Sequence, residues 1–377
     1  MKQDVYVLAG ARTPFAAWAS GRKGDGSAGG ALKDYDPFDL GAHALMGALD
    51  RAGLGPEALD RVVFGNMYQS GPHGCYGARY VSHRAGVPPS VPSLTVNFSC
   101  GTGLQAVLEA AQDIETGEAE LIAAGGADCV SRLRKDIFVP SFNDLSCARP
   151  IGQTADEMAA QYGIGRAEQD AWALESHRRA RQAEALSAKE IVPLGTAQKD
   201  DHVLLKDLAE ERVFGARPAY GENGTVTSAN THALVDGGSA LILGSASAAG
   251  QCPGKPLGRV IAGAYAAVAP DKMPYGSIPA VRRTIEKAGW KIEDVDLWEI
   301  NETFAAQILI DCRELSIPPE KINVNGGALA LGHPFAATGA KLILGLLLEM
   351  ERRGLKRGIA AICVGGGQGV AAALESV

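Results

Sequence analysis

Two cysteines, a histidine and an asparagine, each next to glycines or a short polar run, are the residues most suited by type to covalent chemistry. Cys100 lies in VNFSCGTGLQAVLEAAQDI, Val96 to Ile114. There an extended run from Ser93 to Asn97 meets a cysteine, then glycines, then Leu104, Val107, Leu108, Ala111 and Ile114 at helical spacing. The pattern predicts a strand-to-helix elbow. Unpaired amides and the positive end of a helix dipole would favour a thiolate there, and Gly101 and Gly103 would admit a second backbone or a ligand. Asn301 opens NETFA at the end of a predicted strand, His333 closes the glycine-rich stretch from Asn325 to Pro334, and Cys363 begins CVGGGQG. Taken singly, these residues have ordinary readings as a helix cap, a satisfied structural histidine and a core thiol. The glycines from Gly365 to Gly369 lack the GxGxxG order and the Lys-Ser/Thr tail of a phosphate loop, so nucleoside triphosphate binding is not expected.

The elements that must carry these residues occur twice. In the first part a helix ends in Arg51-Ala52-Gly53, Asp60 follows, and a strand begun at Arg61 runs on toward Asn66. In the last part a helix ends in Lys287-Ala288-Gly289, Asp296 follows, and a strand runs to Asn301. Val96-Asn97 and Val324-Asn325 each precede a glycine-containing elbow and a helix, and each helix leads to an apolar strand ending in glycines, Leu121 to Gly126 and Ile359 to Gly367. Two copies of one unit predict similar α/β halves about a pseudo-twofold axis, with a site where their strand ends meet. Between them, Cys129 to Tyr220 carries clustered charge and a polar helix over about 166–186. The expected division is an N-terminal half over 1–124 completed by 224–250, an inserted loop domain over 125–223 and a C-terminal half over 251–377. A β-type pattern resumes at Gly224 to Thr227, and Ser20 to Lys33, rich in glycine and charge, reads as a mobile loop.

A chain of 377 residues with 46% hydrophobic and 21% charged residues has the composition of an ordinary globular protein with a large core. Its net charge of -7 argues against a nucleic-acid partner. The seven cysteines are scattered without a CxxC pair, which suits reduced thiols in the cytoplasm better than a disulfide framework or a metal site. No targeting presequence and no membrane-spanning run is expected.

NFSCGTGLQA, NETFA, GGALALGHPFAATGA and CVGGGQG together resemble the four active-site signatures of the thiolases, which cleave or form 3-ketoacyl-CoA. Arg12-Thr13-Pro14, GQTAD from Gly152 and NGTVTSAN followed by DGGSA also fall in the family's order, so the resemblance spans nearly the whole chain. It implies a layered αβαβα fold of duplicated halves with an inserted CoA-holding loop domain. Coenzyme A and acyl-CoA would be substrates, with no permanently bound cofactor and no metal. Cys100 would be the acylated nucleophile and His333 its base. Cys363 would exchange the α-carbon proton. Asn301 would hold a water in one oxyanion site, and the backbone N–H groups of Cys100 and Gly365 would form the other. Recognition positions depart from the pattern. His232 stands where a serine commonly contacts pantetheine, Ile151 where a methionine lines short-chain pockets, and Tyr220 where a phenylalanine is usual, while Met273 fits the pattern. Asp200-Asp201-His202-Val203-Leu204 lacks the arginine used at the adenine side. GHPFAATGA and TVTSAN lean toward the long-chain degradative branch, which usually has histidine at the position of Asn301. The short stretch from Ala127 to Ile151 points to a homodimer rather than the tetramer, although a tetramer stays open. The rival readings are an acyl-carrier-protein condensing enzyme, which lacks a counterpart of Cys363, and a degenerate binding protein on the same scaffold.

Overall fold

The computed structural model describes residues 3–69 and 73–377. The N-terminal half contains β1 (Val5–Arg12), β2 (Ala16–Ala17), β3 (Arg61–Gly65), β4 (Ser93–Val96) and β5 (Leu121–Asp128), with α1 (Pro37–Ala52), α2 (Gly77–Arg84) and α3 (Thr102–Thr116). An excursion follows, with α4 (Lys135–Phe138), the small hairpin β6 (Asn143–Asp144) and β7 (Arg149–Pro150), then α5 (Ile151–Gln161), α6 (Arg166–Gln182), α7 (Glu184–Ser187) and α8 (Lys206–Gly215). The chain rejoins the sheet at β8 (Val235–Ser245) and continues through α9 (Ala246–Gln251), β9 (Gly258–Ala267), α10 (Ser277–Ala288), β10 (Leu297–Ile300), α11 (Ala305–Glu314), α12 (Ala328–Leu331), α13 (Thr338–Arg353), β11 (Arg357–Val364) and β12 (Gln368–Glu375).

The strands run β10-β11-β12-β9-β1-β8-β5-β3-β4, joined across the middle where Val5 to Val7 pair with Gly258 to Val260. Outward from that seam the order is the same on both sides. β1, β8, β5 and β3 answer to β9, β12, β11 and β10. Equivalent aspartates fix the equivalent strand starts. Asp60 Oδ2 accepts the N–H groups of Glu120 and Leu121, both at 2.9 Å, and Asp296 Oδ2 accepts those of Lys356 and Arg357 at 2.9 and 3.0 Å. Gly53 and Gly289 close the equivalent helices in the left-handed conformation, with φ of 66° and 68°.

Side-chain alternation along the strands builds the layers. In β5, Ile122 and Ala124 face a core formed with α3 and α13, whereas Leu121 and Ala123 face α1 and α2. Both faces are covered, and β5 therefore reads as a continuous apolar run. The middle core also receives Ile362, Val364 and Val370 from β11 and β12. Helices α10 and α11 cover the other face of the C-terminal half together with α5 and α6. The result is the expected αβαβα arrangement of duplicated halves.

Several local expectations are corrected. Strand β5 continues through Asp128, so a boundary at 124/125 falls inside it, and the departure from the sheet runs over 129–234. Gly224 to Thr227 forms no strand. Asp156 Oδ1 takes the Thr225 and Val226 N–H groups at 2.7 and 3.2 Å, and Asn230 Oδ1 takes that of Thr227 at 2.7 Å. Side chains there satisfy the donors that a ladder would have used. Helix α6 stops at Gln182, and a separate short helix follows. The glycine-rich loop after Ser20 is a tight turn docked on the excursion, with Gly24 N–H on Asp201 O at 2.5 Å and Leu205 N–H on Gly24 O at 3.3 Å.

Candidate active site

The Cys100 elbow is fixed by its own side chains. Thr102 Oγ1 accepts the Phe98 N–H at 2.9 Å and donates to Ser99 O at 2.6 Å, and Asn97 Oδ1 accepts the Ser99 N–H at 2.9 Å. These bonds hold Ser99 at φ 49°, a left-handed conformation uncommon outside glycine, directly before the cysteine. Helix α3 begins at Thr102, two residues beyond Cys100. A Cβ on Gly103 would lie 2.3 Å from Ala336 O, and one on Gly339 would lie 2.0 Å from Leu104 N. The starts of α3 and α13 touch backbone to backbone at the junction, which brings the segment carrying His333 against the elbow.

His333 is fully buried. Its N–H is bonded to Ala233 O at 2.9 Å, and its Nδ1 lies 2.6 Å from Thr338 Oγ1. Its Nε2 is buried with no hydrogen-bond partner among the described residues. Asn301 follows β10 and is not the cap of α11, which Phe304 precedes without a side-chain bond. Its Nδ2 donates to Thr303 Oγ1 at 3.0 Å while its Oδ1 is buried and unpartnered. Buried polar atoms are nearly always paired, so unsatisfied atoms on these two residues call for a functional explanation. Cys363 is buried near the end of β11, with Thr303 Oγ1 3.2 Å from its Sγ. The turn beyond it places Gly366 and Gly367 at φ 81° and 73°. Gly365 itself faces Ser99, where a Cβ would lie 3.5 Å from the Ser99 hydroxyl. The residue after Cys100 packs on the strand end after Cys363, since a Cβ on Gly101 would lie 2.9 Å from side-chain carbons of both Val364 and Val370.

Cys100 is half-buried, and the desolvation around it pushes its thiol up to about 11, a rise that the neighbouring Ser99 hydroxyl and Gly365 backbone oppose. Burial likewise raises the Cys363 thiol, which the Thr303 hydroxyl partly offsets. His333 is held well below its ordinary value by burial and by neighbouring His232. These directions favour neutral thiols and a neutral imidazole in the resting site.

The predicted recognition residues divide into two groups. Ile151, Tyr220 and Met273 belong to one apolar cluster with Phe304 and Cys363, and Tyr220 packs so closely on Gly152 that a Cβ there would meet its hydroxyl at 2.3 Å. His232 instead sets its ring edge-on to His333, with centroids 5.0 Å apart, and burial holds its own pKa down at about 4. Leu204, at the missing arginine's position, is buried and its carbonyl accepts from Arg181 at 2.7 Å. Asp200 from the same altered segment forms a two-pronged bond to the fully buried Arg12, at 2.7 and 2.8 Å. The sequence reading missed Thr303, Thr338 and Asp128. The two threonines lie within the quoted motifs, and that proximity was the only signal for them.

A duplicated αβαβα fold with cysteine, histidine and a second cysteine at its junction is of the thiolase class. The family models for the thiolase N-terminal domain match residues 5–137 and 130–247, and the model for the thiolase C-terminal domain matches 254–376. The chain is 38% identical to an acetyl-CoA acetyltransferase of Chromobacterium violaceum, covering 95% of this chain and 98% of that one. It is 34% identical to human mitochondrial 3-ketoacyl-CoA thiolase, covering 99% and 98%. The crystal structure of the human mitochondrial enzyme in complex with CoA superposes with a TM-score of 0.92 at 33% identity, covering 100% and 98%. The Bacillus anthracis acetyl-CoA acetyltransferase also gives 0.92, at 35% identity, covering 100% and 99%. The chain belongs to the thiolase family.

Proposed function

We propose that this protein is a CoA-dependent acyltransferase that cleaves 3-ketoacyl-CoA with CoA, and in reverse condenses acyl-CoA with acetyl-CoA, through an acyl-Cys100 thioester. The reading rests on one observation. His333 Nε2 and Asn301 Oδ1 are both buried and unpartnered at the junction that also holds Cys100 and Cys363. In the tautomer whose Nδ1–H donates to Thr338 Oγ1, His333 has Nε2 free to take the Cys100 proton as substrate enters. The thiolate attacks the 3-keto carbonyl, and the Cys100 and Gly365 N–H groups receive the oxyanion. The C2–C3 bond breaks, leaving the acyl group on Cys100 and an enolate of acetyl-CoA. His333 Nε2–H and a water on Asn301 stabilise the enolate oxygen while Cys363 protonates C2. Incoming CoA gives its thiol proton to Cys363, attacks the acyl-Cys100 thioester and departs as the shortened acyl-CoA. Cys100 then recovers its proton from His333. Each step uses the chain's own side chains and backbone N–H groups with a bound water, and CoA and acyl-CoA are the substrates.

Ile151, Tyr220 and Met273 form the acyl wall in this reading, and the excursion over 129–234 holds CoA between the two halves. A homodimer is supported by the outer edge of β4, which among the described residues pairs only with β3 and where Leu94 is 41% exposed. All the cysteines are free, in keeping with a reducing compartment such as the cytoplasm, and among the described residues no helix is long and apolar enough to cross a membrane. Incubation with acetyl-CoA followed by intact-protein mass spectrometry should show one acetyl adduct in wild type and none in Cys100→Ala. No adduct in wild type, or the same adduct in the variant, refutes the mechanism.

A further inference from the structure

Asp128 is the last residue of β5 and is buried, and its carboxylate collects both strained turns of the site. Oδ1 accepts the Asn66 side-chain amide at 2.7 Å and the Tyr68 N–H at 3.2 Å. Oδ2 accepts the Ala336 N–H at 2.9 Å and the Met67 N–H at 3.3 Å. Ala336 follows Phe335, whose φ of 31° is costly for an aromatic residue and whose ring lies 5.0 Å from that of His333. Met67 is tied to the other turn. Its carbonyl accepts the Asn97 amide at 2.9 Å, and its sulfur meets the hydroxyl of strained Ser99 at 3.7 Å. Strained backbone persists only where its surroundings over-determine it, and here the constraints from the nucleophile side and the base side meet on one carboxylate.

Among the described residues Asp128 makes no ion pair, and the titratable groups that act on it or feel it include Asp236, Cys100 and Tyr68. What the site needs is acceptors. Four N–H bonds converge on its two oxygens; burial pushes the carboxyl up to about 7 against the Ala336, Tyr68 and Met67 N–H groups, so above that pH the ionised, acceptor-only form holds all four donors. An amide in its place would turn its own donors toward backbone donors.

We infer that Asp128 is a positioning residue, fixing the Cys100 elbow against the His333 turn so that the thiol proton can cross to the imidazole; this rests on the roles given above to Cys100 and His333. Two assays on the full-length protein test it. One is alkylation of Cys100 by iodoacetamide at pH 8, located by peptide mass spectrometry, which needs no CoA substrate. The other is steady-state acyl transfer from acetyl-CoA. Asp128→Asn should remain folded by circular dichroism and lose about tenfold or more in both the alkylation rate and kcat, with KM for acetyl-CoA within about threefold. Asp128→Glu should restore most of both. Should Asp128→Asn fail to fold, Asn66→Ala, which leaves the carboxylate in place and removes one donor, should lower kcat several-fold at unchanged KM. A folded Asp128→Asn with wild-type alkylation and kcat overturns the inference. So does a loss carried by KM, an Asp128→Glu no better than Asp128→Asn, or a wild-type kcat in Asn66→Ala. If wild type is not acylated by acetyl-CoA, the functional reading fails, and the alkylation rates alone decide the role of Asp128.

Discussion

The Thr303 hydroxyl lies 3.2 Å from the Cys363 sulfur and 3.0 Å from the Asn301 amide nitrogen, so one oxygen joins the second cysteine to the asparagine of the site. It is also the largest influence lowering the Cys363 thiol against burial. Thr303→Val keeps the shape and removes the oxygen. It should leave acetylation of Cys100 near the wild-type rate and cut acetoacetyl-CoA thiolysis by about tenfold or more. Parallel measurement of adduct formation and thiolysis checks this, and equal loss of both would remove the separate role given to Cys363.

Free enzyme should show a neutral thiol at Cys100. The thiolate fraction grows as pH climbs toward the raised value of about 11, so the iodoacetamide rate should rise roughly tenfold per unit from pH 7 to about 10. A plateau already complete at neutral pH would mean a preformed thiolate–imidazolium pair.

Gly103 must stay bare because of what it touches. The Ala336 carbonyl would lie 2.3 Å from its Cβ, and that backbone atom belongs to the turn after His333. Gly103→Ala is expected to cost about 1–3 kcal/mol in denaturant unfolding and to lower kcat about tenfold or more by driving the elbow from the histidine. Gly250→Ala, with nothing within 4 Å of the added carbon, is the neutral control.

Arg12 is fully buried between Glu190 and Asp200, and Asp200 comes from the segment whose motif looks degenerate. Asp200→Asn strips one of two charges compensating a buried guanidinium. It should destabilise the fold by roughly 3 kcal/mol or more, read as a lower denaturant midpoint at unchanged slope. Little change in the midpoint would show that Glu190 alone suffices.

Much of the fold was legible because its signals are local. Glycine closed both equivalent helices, aspartate preceded both equivalent strands, and continuous apolar runs marked strands covered on two faces. The strand pattern at Gly224 to Thr227 misled because Asp156, far away in sequence, takes those backbone donors. His232 could be flagged as unusual from the chain alone, but its edge-on packing against His333 could not be read there.

The sequence by itself determined which side chains are suited to the proposed chemistry, since thiol, imidazole and amide are properties of residue type, and short motifs set each on its own turn. Tertiary structure decided their states and alignment. Desolvation pushes the half-buried Cys100 thiol up, and it depends on everything packed around a group rather than on its neighbours in the chain. Alignment came from contacts such as Asp128 to Ala336, which are 208 residues apart and meet only because two glycine-bearing helix starts touch at the pseudo-twofold junction.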